Sequence, residues 1–249
     1  MGAALEIRDL ARAYGGVRAL AGVSLSIAPG EAVGLIGPNG SGKSSLLAVL
    51  SGHEAPDAGS VRLDGREVAG LPSHAMARRG VARSFQSARA FERLSVRENI
   101  RAARHAAAPL HEAIWQSRAA RRAEAEALAD LMDRFELTSR AADLPGALTL
   151  FELRRMEMAR VAAAAPALVL LDEPAAGLPA GEAMRLASLV AAELLPGRTA
   201  LIVEHRTEVL ERLTPRIVAL REGRVMADGP AAEVLGAPEI RAVYLGEAA

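Results

Sequence analysis

Gly37-Pro-Asn-Gly-Ser-Gly-Lys-Ser44 sets glycines, a lysine and a hydroxyl at the spacing G-x-x-x-x-G-K-[ST]. The apolar run 33–36 precedes it, and a helical pattern follows from about Lys43 to Ser51, stopping at Gly52. In that setting the glycines let successive N–H groups curl around an anion, and the helix N-terminus adds its positive dipole end. Lys43 can reach β- and γ-phosphates as a compact charge, a task a planar guanidinium performs poorly. The Ser44 hydroxyl can ligate Mg²⁺. Of the 30 basic residues, 29 are arginine and Lys43 is the single lysine. A chain that replaces lysine almost everywhere retains it here. The competing explanation is a glycine-rich turn that matches by chance. The pattern predicts a nucleoside triphosphate site built from Gly37, Pro38, Asn39, Gly40, Ser41, Gly42, Lys43, Ser44 and Ser45.

Further along, Leu168-Val-Leu-Leu-Asp172-Glu173 is an apolar strand ending in two carboxylates. Beside a phosphate loop, Asp172 can hold Mg²⁺, usually through water, and Glu173 can polarise an attacking water. Standing alone, the pair would read as an ordinary acidic turn. His205 follows the next apolar strand, Leu201-Ile-Val-Glu204, at the carboxyl end where open α/β sheets bind ligands. It could bond the γ-phosphate and orient the water. His53, His74, His105 and His111 fall in loop or exposed helical contexts and take no role. Gln86, in Arg83-Ser-Phe-Gln86, ends a short strand at the joint with a helical stretch.

The surrounding pattern supplies elements to hold these groups. Short apolar runs over 5–36, broken by Gly15-Gly16 and Pro29-Gly30, predict strands. Residues 60–65 read as a strand into a turn, and 73–79 as a short helix closed by Gly80. From 95 to 165 the pattern is helical, with capping boxes at Ser95–Glu98 and Thr149–Glu152. Residues 112–136, lacing arginine with glutamate, predict a long amphipathic helix with a solvated outer face. Strands at 168–171, 199–203 and 217–220 then alternate with helices at 181–195 and 206–213, and a hairpin at Glu222-Gly223 leads into 225–227. Interleaving of this kind implies parallel βαβ units. Equal numbers of acidic and basic residues, 30 each, give no long-range attraction to nucleic acid or anionic lipid. The lack of cysteine removes disulfides and thiolate metal sites. No secretory signal pattern is visible, and the longest apolar run, 161–171, is too short for a membrane span and carries Pro166. The expectation is a soluble intracellular protein.

Ala13-Tyr14-Gly-Gly, GPNGSGKSS at 37–45, Phe85-Gln86, LVLLDEP at 168–174 and Glu204-His205 together resemble the ATP-binding subunits of ABC transporters. The resemblance covers essentially the whole chain. It implies an α/β fold: a P-loop NTPase (RecA-like) core with a parallel sheet, an N-terminal antiparallel β subdomain and an inserted α-helical subdomain. The corresponding spans are 1–86 and 161–227 for the core, 87–160 for the helical subdomain and 228–249 for a C-terminal helical tail. It further implies that Tyr14 stacks on adenine, that Gln86 senses Mg²⁺ and the transmembrane partner, and that Glu173 is the general base and His205 the switch histidine. ATP and Mg²⁺ are the implied ligands, with Ser44, Gln86 and Asp172 toward the metal. The stretch 70–100, DEPAAGL, IVEH and the ending IRAVYLGEA are similar to the larger ATPase subunit of branched-chain amino-acid importers. Subunits serving urea or short amides share these features, and ATPases of lipopolysaccharide export share the YLGE ending.

Two segments depart from the family pattern. The signature LSGGQ, which caps the γ-phosphate of the partner subunit's ATP, is replaced by Leu148-Thr-Leu-Phe-Glu152. Phe151 is expected to crowd the place where glycine permits close approach, and Glu152 to add negative charge beside an anion. Pro179 stands where the family usually has aspartate or asparagine. Both departures face the partner's nucleotide. The resemblance therefore implies a heterodimeric ATPase pair with one competent and one impaired site, a homodimer being the alternative. The other expected partners are two transmembrane permease subunits, docked near 87–100, and, indirectly, a periplasmic solute-binding protein, with no nucleic acid. The complex would sit on the cytoplasmic face of the cell membrane. A regulatory or scaffolding subunit with little hydrolysis, and a soluble translation- or repair-type ABC ATPase, are the other readings.

Overall fold

Apolar side chains that alternate along some strands and run unbroken along others produce two sheets, seen in a computed structural model that describes residues 2–84, 90–107 and 117–242. The first is antiparallel. Its strands β1 (Leu5–Tyr14) and β2 (Val17–Ile27) form a hairpin around Gly15-Gly16. With β3 (Ala32–Ile36) the chain enters the second sheet, and α1 (Lys43–Leu50) follows. It then returns to the first sheet through β4 (Ala58–Leu63) and the two-residue β5 (Arg66–Glu67), giving the order β2-β1-β4-β5. A short helix α2 (Ser73–Arg78) leads to β6 (Val81–Arg83).

The second sheet is completed by β7 (Leu168–Asp172), β8 (Thr199–Val203), β9 (Arg216–Arg221) and β10 (Arg224–Pro230). Its order is β10-β9-β3-β8-β7-β6, with β10 antiparallel and the other neighbours parallel. Leu168, Leu170, Leu201, Val203, Val218 and Leu220 pack on α1 and the antiparallel sheet. Val169, Leu171, Ala200 and Ile202 enter the cluster on the other face. Burial on both faces is why these strands read as continuous apolar runs. Register sets Leu35 and Asp172 each beside Val203. The chain therefore leaves β3, β7 and β8 at one common edge.

Among the described residues, the helical insert holds α3 (Val96–Ala107), α4 (Arg118–Arg134) and α5 (Leu150–Ala163). The helix expected over 112–136 starts, among the described residues, at Arg118, and 111–116 lie outside them. Both capping boxes form: Glu98 Oε2 accepts from the Ser95 N–H at 2.8 Å, and Thr149 with Glu152 does the same for α5. Residue 160, the expected end of the insert, falls inside α5. Met156, Met158, Ala159 and Val161 of that helix share one apolar cluster with Val169 and Leu171 of β7. The insert and the core are thus packed together through α5, which is buried on nearly every side. Its buried charges are paired, Arg154 with Glu157 at 3.0 Å and Arg155 with Glu136 at 2.6 Å.

The helix expected over 181–195 is α6 (Ala180–Leu189), continued by a π-helical turn, Val190–Leu194. α7 (Thr207–Leu213) follows β8. The expected helical tail from 228 begins later than its composition suggests. β10 runs on to Pro230, because it has β9 to pair with, and only then do α8 (Ala231–Gly236) and α9 (Pro238–Ile240) form. The YLGE segment lies outside the described residues.

Candidate active site

The loop between β3 and α1 has positive φ at Gly37, Gly40 and Gly42. Two of these glycines are demanded by close approach as well as by φ. A Cβ on Gly37 would collide with the Leu220 carbonyl and lie 2.5 Å from Ser41 Oγ; one on Gly42 would collide with the Ala19 carbonyl of β2. Lys43 is buried and its Nζ donates to the carbonyls of Gly37 at 2.6 Å and Pro38 at 3.1 Å. Burial pushes its ammonium below the ordinary lysine range, and the carboxylates of Glu173 and Asp172 oppose that shift. Ser44 is exposed in the first turn of α1, beside half-buried Ser45. Ser41 Oγ is buried with no hydrogen-bond partner among the described residues, in a loop whose shape suits phosphate oxygens. Pro38, Asn39 and Gly40 form the outer lip.

Asp172 ends β7 with its carboxylate buried. Arg83 Nη2 donates to its Oδ2 at 2.9 Å, and the Asp172 N–H donates to Ser84 Oγ at 3.0 Å. Glu173 takes φ +50° as the chain leaves the strand, and its N–H donates to the Val203 carbonyl at 2.9 Å. That turn aims its carboxylate at the end of β8. There His205 Nε2 lies 2.8 Å from Glu173 Oε1. A neutral imidazole donating from Nε2 to the carboxylate keeps Nδ1 as an acceptor, so the pair can hold and orient a proton donor. Lys43, Asp172, Glu173 and His205 come together at one sheet edge. Gln86 lies outside the described residues.

Three contributors have contacts that the sequence pattern does not show. Arg83, in sequence only a neighbour of Gln86, is the partner of Asp172 and also donates to Ser51 Oγ at 3.1 Å. Glu204 is buried and brackets the site: its two oxygens accept from the N–H groups of His205 at 3.0 Å and Ala175 at 3.2 Å. Gly223, in the turn between β9 and β10, donates to the Ser41 carbonyl at 3.0 Å and accepts from the Ala21 N–H at 2.8 Å. It thereby ties the phosphate loop to β2. Its φ of +73° and the close backbone of 19–21 were the detectable signal, since Glu222-Gly223 reads as a turn. Tyr14, at the end of β1, is part-exposed on the same hairpin that touches Gly42, with the Arg12 guanidinium 4.9 Å from its ring centre.

The departing signature segment corrects one expectation. Phe151 does not crowd the surface: it is buried, with the guanidinium groups of Arg155 and Arg185 at 4.8 and 5.1 Å from its ring. As the second residue of α5 it turns inward, where it gains apolar contact and cation–π stacking. The surface position falls to Leu150, which is exposed, and to the Glu152 carboxylate. That carboxylate accepts from the Thr149 N–H at 2.8 Å and pairs with Arg140 at 3.2 Å. Hydrogen bonds from the Thr149 N–H and then the Thr149 hydroxyl, and after them the neighbouring arginines, hold Glu152 below the usual carboxylate range against its partial burial. Leu150 packs against Gly177, and Pro179 caps α6 two residues on, so both departures share one surface.

A loop, carboxylates and histidine in this order on a parallel sheet carry the chemistry of nucleotide hydrolysis. The sequence profile described as ABC transporter matches residues 20–176. The chain belongs to this family. The cassette is 36% identical over 250 residues to the high-affinity branched-chain amino acid transport ATP-binding protein BraF of Pseudomonas aeruginosa, with 98% of each chain covered. It is 34% identical over 245 residues to the lipopolysaccharide export system ATP-binding protein LptB of Escherichia coli, again with 98% of each covered. Among solved structures, the ATP-binding cassette MJ1267 in its ADP conformation matches with a TM-score of 0.85 at 26% identity, covering 99% of this chain and 100% of that one. The cassette is a nucleotide-binding ATPase with the P-loop α/β fold. Among its described residues, no helix is long and apolar enough to cross a membrane.

Proposed function

We propose that the cassette energises import of a small solute, branched-chain or other amino acids first and urea or short amides next. In this reading it is peripheral, held at the cytoplasmic face of the cell membrane by two permease subunits fed by a periplasmic binding protein. The observation that carries the catalytic half is the 2.8 Å contact between His205 and Glu173 beside Lys43 and Asp172. The solute class is supported by the full-length likeness to BraF.

In the mechanism, the loop from Gly37 to Ser45 wraps the phosphates, Lys43 exchanges its carbonyl partners for β- and γ-oxygens, and Tyr14 stacks on adenine. Glu173 accepts a proton from the attacking water, and His205 fixes the carboxylate and the γ-phosphate side of that water. Ser44 and Asp172 offer hard oxygens, and the described residues contain no cluster of three or more His, Cys, Asp or Glu side chains fit to hold a metal alone. That donor set suits Mg²⁺. Held there, the cation would supply charge neutralisation on the transferring group. By the resemblance, Gln86 would serve the same metal.

The cassette pairs with a second ATPase subunit. Glu152 occupies the N–H of Thr149 and sets a carboxylate where the family's signature meets the partner's γ-phosphate, so the partner's site is the impaired one. The test is to purify both subunits with their permeases in proteoliposomes and remove each general base in turn. Glu173→Gln should lower ATP hydrolysis about 10²–10⁴-fold while ATP binding persists. Unchanged hydrolysis in Glu173→Gln, with loss on mutating the partner's base, reverses the assignment. The likeness to LptB favours a second reading, lipopolysaccharide export. Proteoliposomes of the intact complex that hydrolyse ATP but take up no leucine, urea or amide would turn the conclusion toward it.

A further inference from the structure

We propose that Arg12 is a positioning residue for the nucleotide base, acting through Tyr14; the inference rests on the assignment of Tyr14 as the adenine platform. The two side chains stand two residues apart at the end of β1, where the β1–β2 register shifts between Arg12 and Ala13. The Arg12 guanidinium lies over the Tyr14 ring, 4.9 Å from its centre. It is held there from behind. Arg12 Nη2 donates to Glu54 Oε2 at 2.7 Å, and Nη1 donates to Asp57 Oδ1 at 3.0 Å.

Asp57 does more than pair with the cation. Its other oxygen accepts from the Ala13 N–H at 2.7 Å, and its own N–H donates to the Ala11 carbonyl at 2.8 Å. The residues on both sides of Arg12 are therefore clasped by the same side chain and backbone that fix its guanidinium. Glu54 and Asp57 belong to the loop leaving α1, the helix that begins in the phosphate loop. The bracket thus ties the ring's position to the element that binds the phosphates.

A tyrosine at the end of a strand next to a two-glycine turn would otherwise be free to swing. With one face covered by a braced cation, the ring is held in place and its opposite face is left for a base. The ordering that stacking would require is then already present before the nucleotide arrives. Arginine suits this role because its planar fork can bridge two carboxylates while lying flat on an aromatic face.

The test uses the full chain and titration calorimetry with two probes, ATP and inorganic tripolyphosphate, which lacks the base. Arg12→Gln should weaken ATP binding roughly two- to fivefold, the scale of an exposed cation–ring contact, and leave tripolyphosphate affinity unchanged. Tyr14→Ala should weaken ATP at least as much, and adding Arg12→Gln to it should cause no further loss. Arg12→Lys, which keeps a cation but cannot bridge both carboxylates, should fall between. Glu54→Gln, which removes one brace and leaves the ring contact, supplies the same readout should Arg12→Gln fold poorly, with a smaller loss in the same direction. Unchanged ATP affinity in Arg12→Gln beside a weakened Tyr14→Ala overturns the role of Arg12 and leaves the platform standing. Unchanged affinity in Tyr14→Ala overturns the platform itself. Equal weakening toward ATP and tripolyphosphate in Arg12→Gln also overturns the inference, because the effect would then lie in the phosphate loop.

Discussion

Arg83→Met tests whether the edge of β7 depends on a cation that no motif announces. Arg83 and Asp172 are 12% and 9% exposed and meet at 2.9 Å, so solvent screens their attraction little. Removing one partner of such a buried pair costs about 3–5 kcal/mol, since the carboxylate loses the cation hydrogen-bonded to it. The same change also deprives Ser51 Oγ of a donor at 3.1 Å. For a chain of this length each kcal/mol moves the midpoint about 2–4 °C, so the melting temperature should fall roughly 6–20 °C. Replacing both partners, Arg83→Met with Asp172→Asn, should recover most of that loss, because no unpaired charge then remains. Thermal melts of the four proteins form a double-mutant cycle that isolates the pair. A loss below about 1 kcal/mol in the single variant, the range of an exposed surface pair, would refute the argument. So would a double variant as unstable as Arg83→Met.

Three further outcomes can be checked with the isolated chain. Lys43→Ala should raise the Kd for ATP about 10–100-fold, the worth of one charge-assisted hydrogen bond, without a large change in melting temperature; unchanged nucleotide affinity by calorimetry would undo the whole catalytic assignment. Thr149→Ala should destabilise the protein by about 1 kcal/mol through loss of the α5 cap, read from urea unfolding. Glu152 has a folded pKa below its unfolded value, so its contribution is fully present above the ordinary carboxylate range and is lost as pH falls through the lowered value. The stability gap between the native chain and Glu152→Gln should therefore narrow below about pH 4, and a gap that widens there would contradict the cap.

Much of the candidate site was legible because its chemistry is local in the chain. The spacing from Gly37 to Ser44, the lone Lys43 and the strand ending in Asp172-Glu173 each sit within one short segment. The strands of the parallel sheet were equally visible, since burial on both faces leaves unbroken apolar runs. Less visible were features without a local period. The late start of the tail helices at Ala231 follows from the pairing of β10 with β9, which composition at 228–230 does not encode. Buried Phe151 is stacked partly by Arg185, which stands on another helix far along the chain.

Sequence alone determined which groups are available and in what order: a phosphate loop, a strand ending in two carboxylates, and a strand ending in Glu204-His205. Only the tertiary structure decided which of them touch. The order β3-β8-β7 inserts the His205 strand between the loop and the carboxylates, and the register beside Val203 brings their ends level. Strand order is set by how two buried faces pack, while a side-chain period of two gives only the face on which each residue lies. For that reason the Glu173–His205 and Asp172–Arg83 contacts, across 32 and 89 residues, had to await the fold.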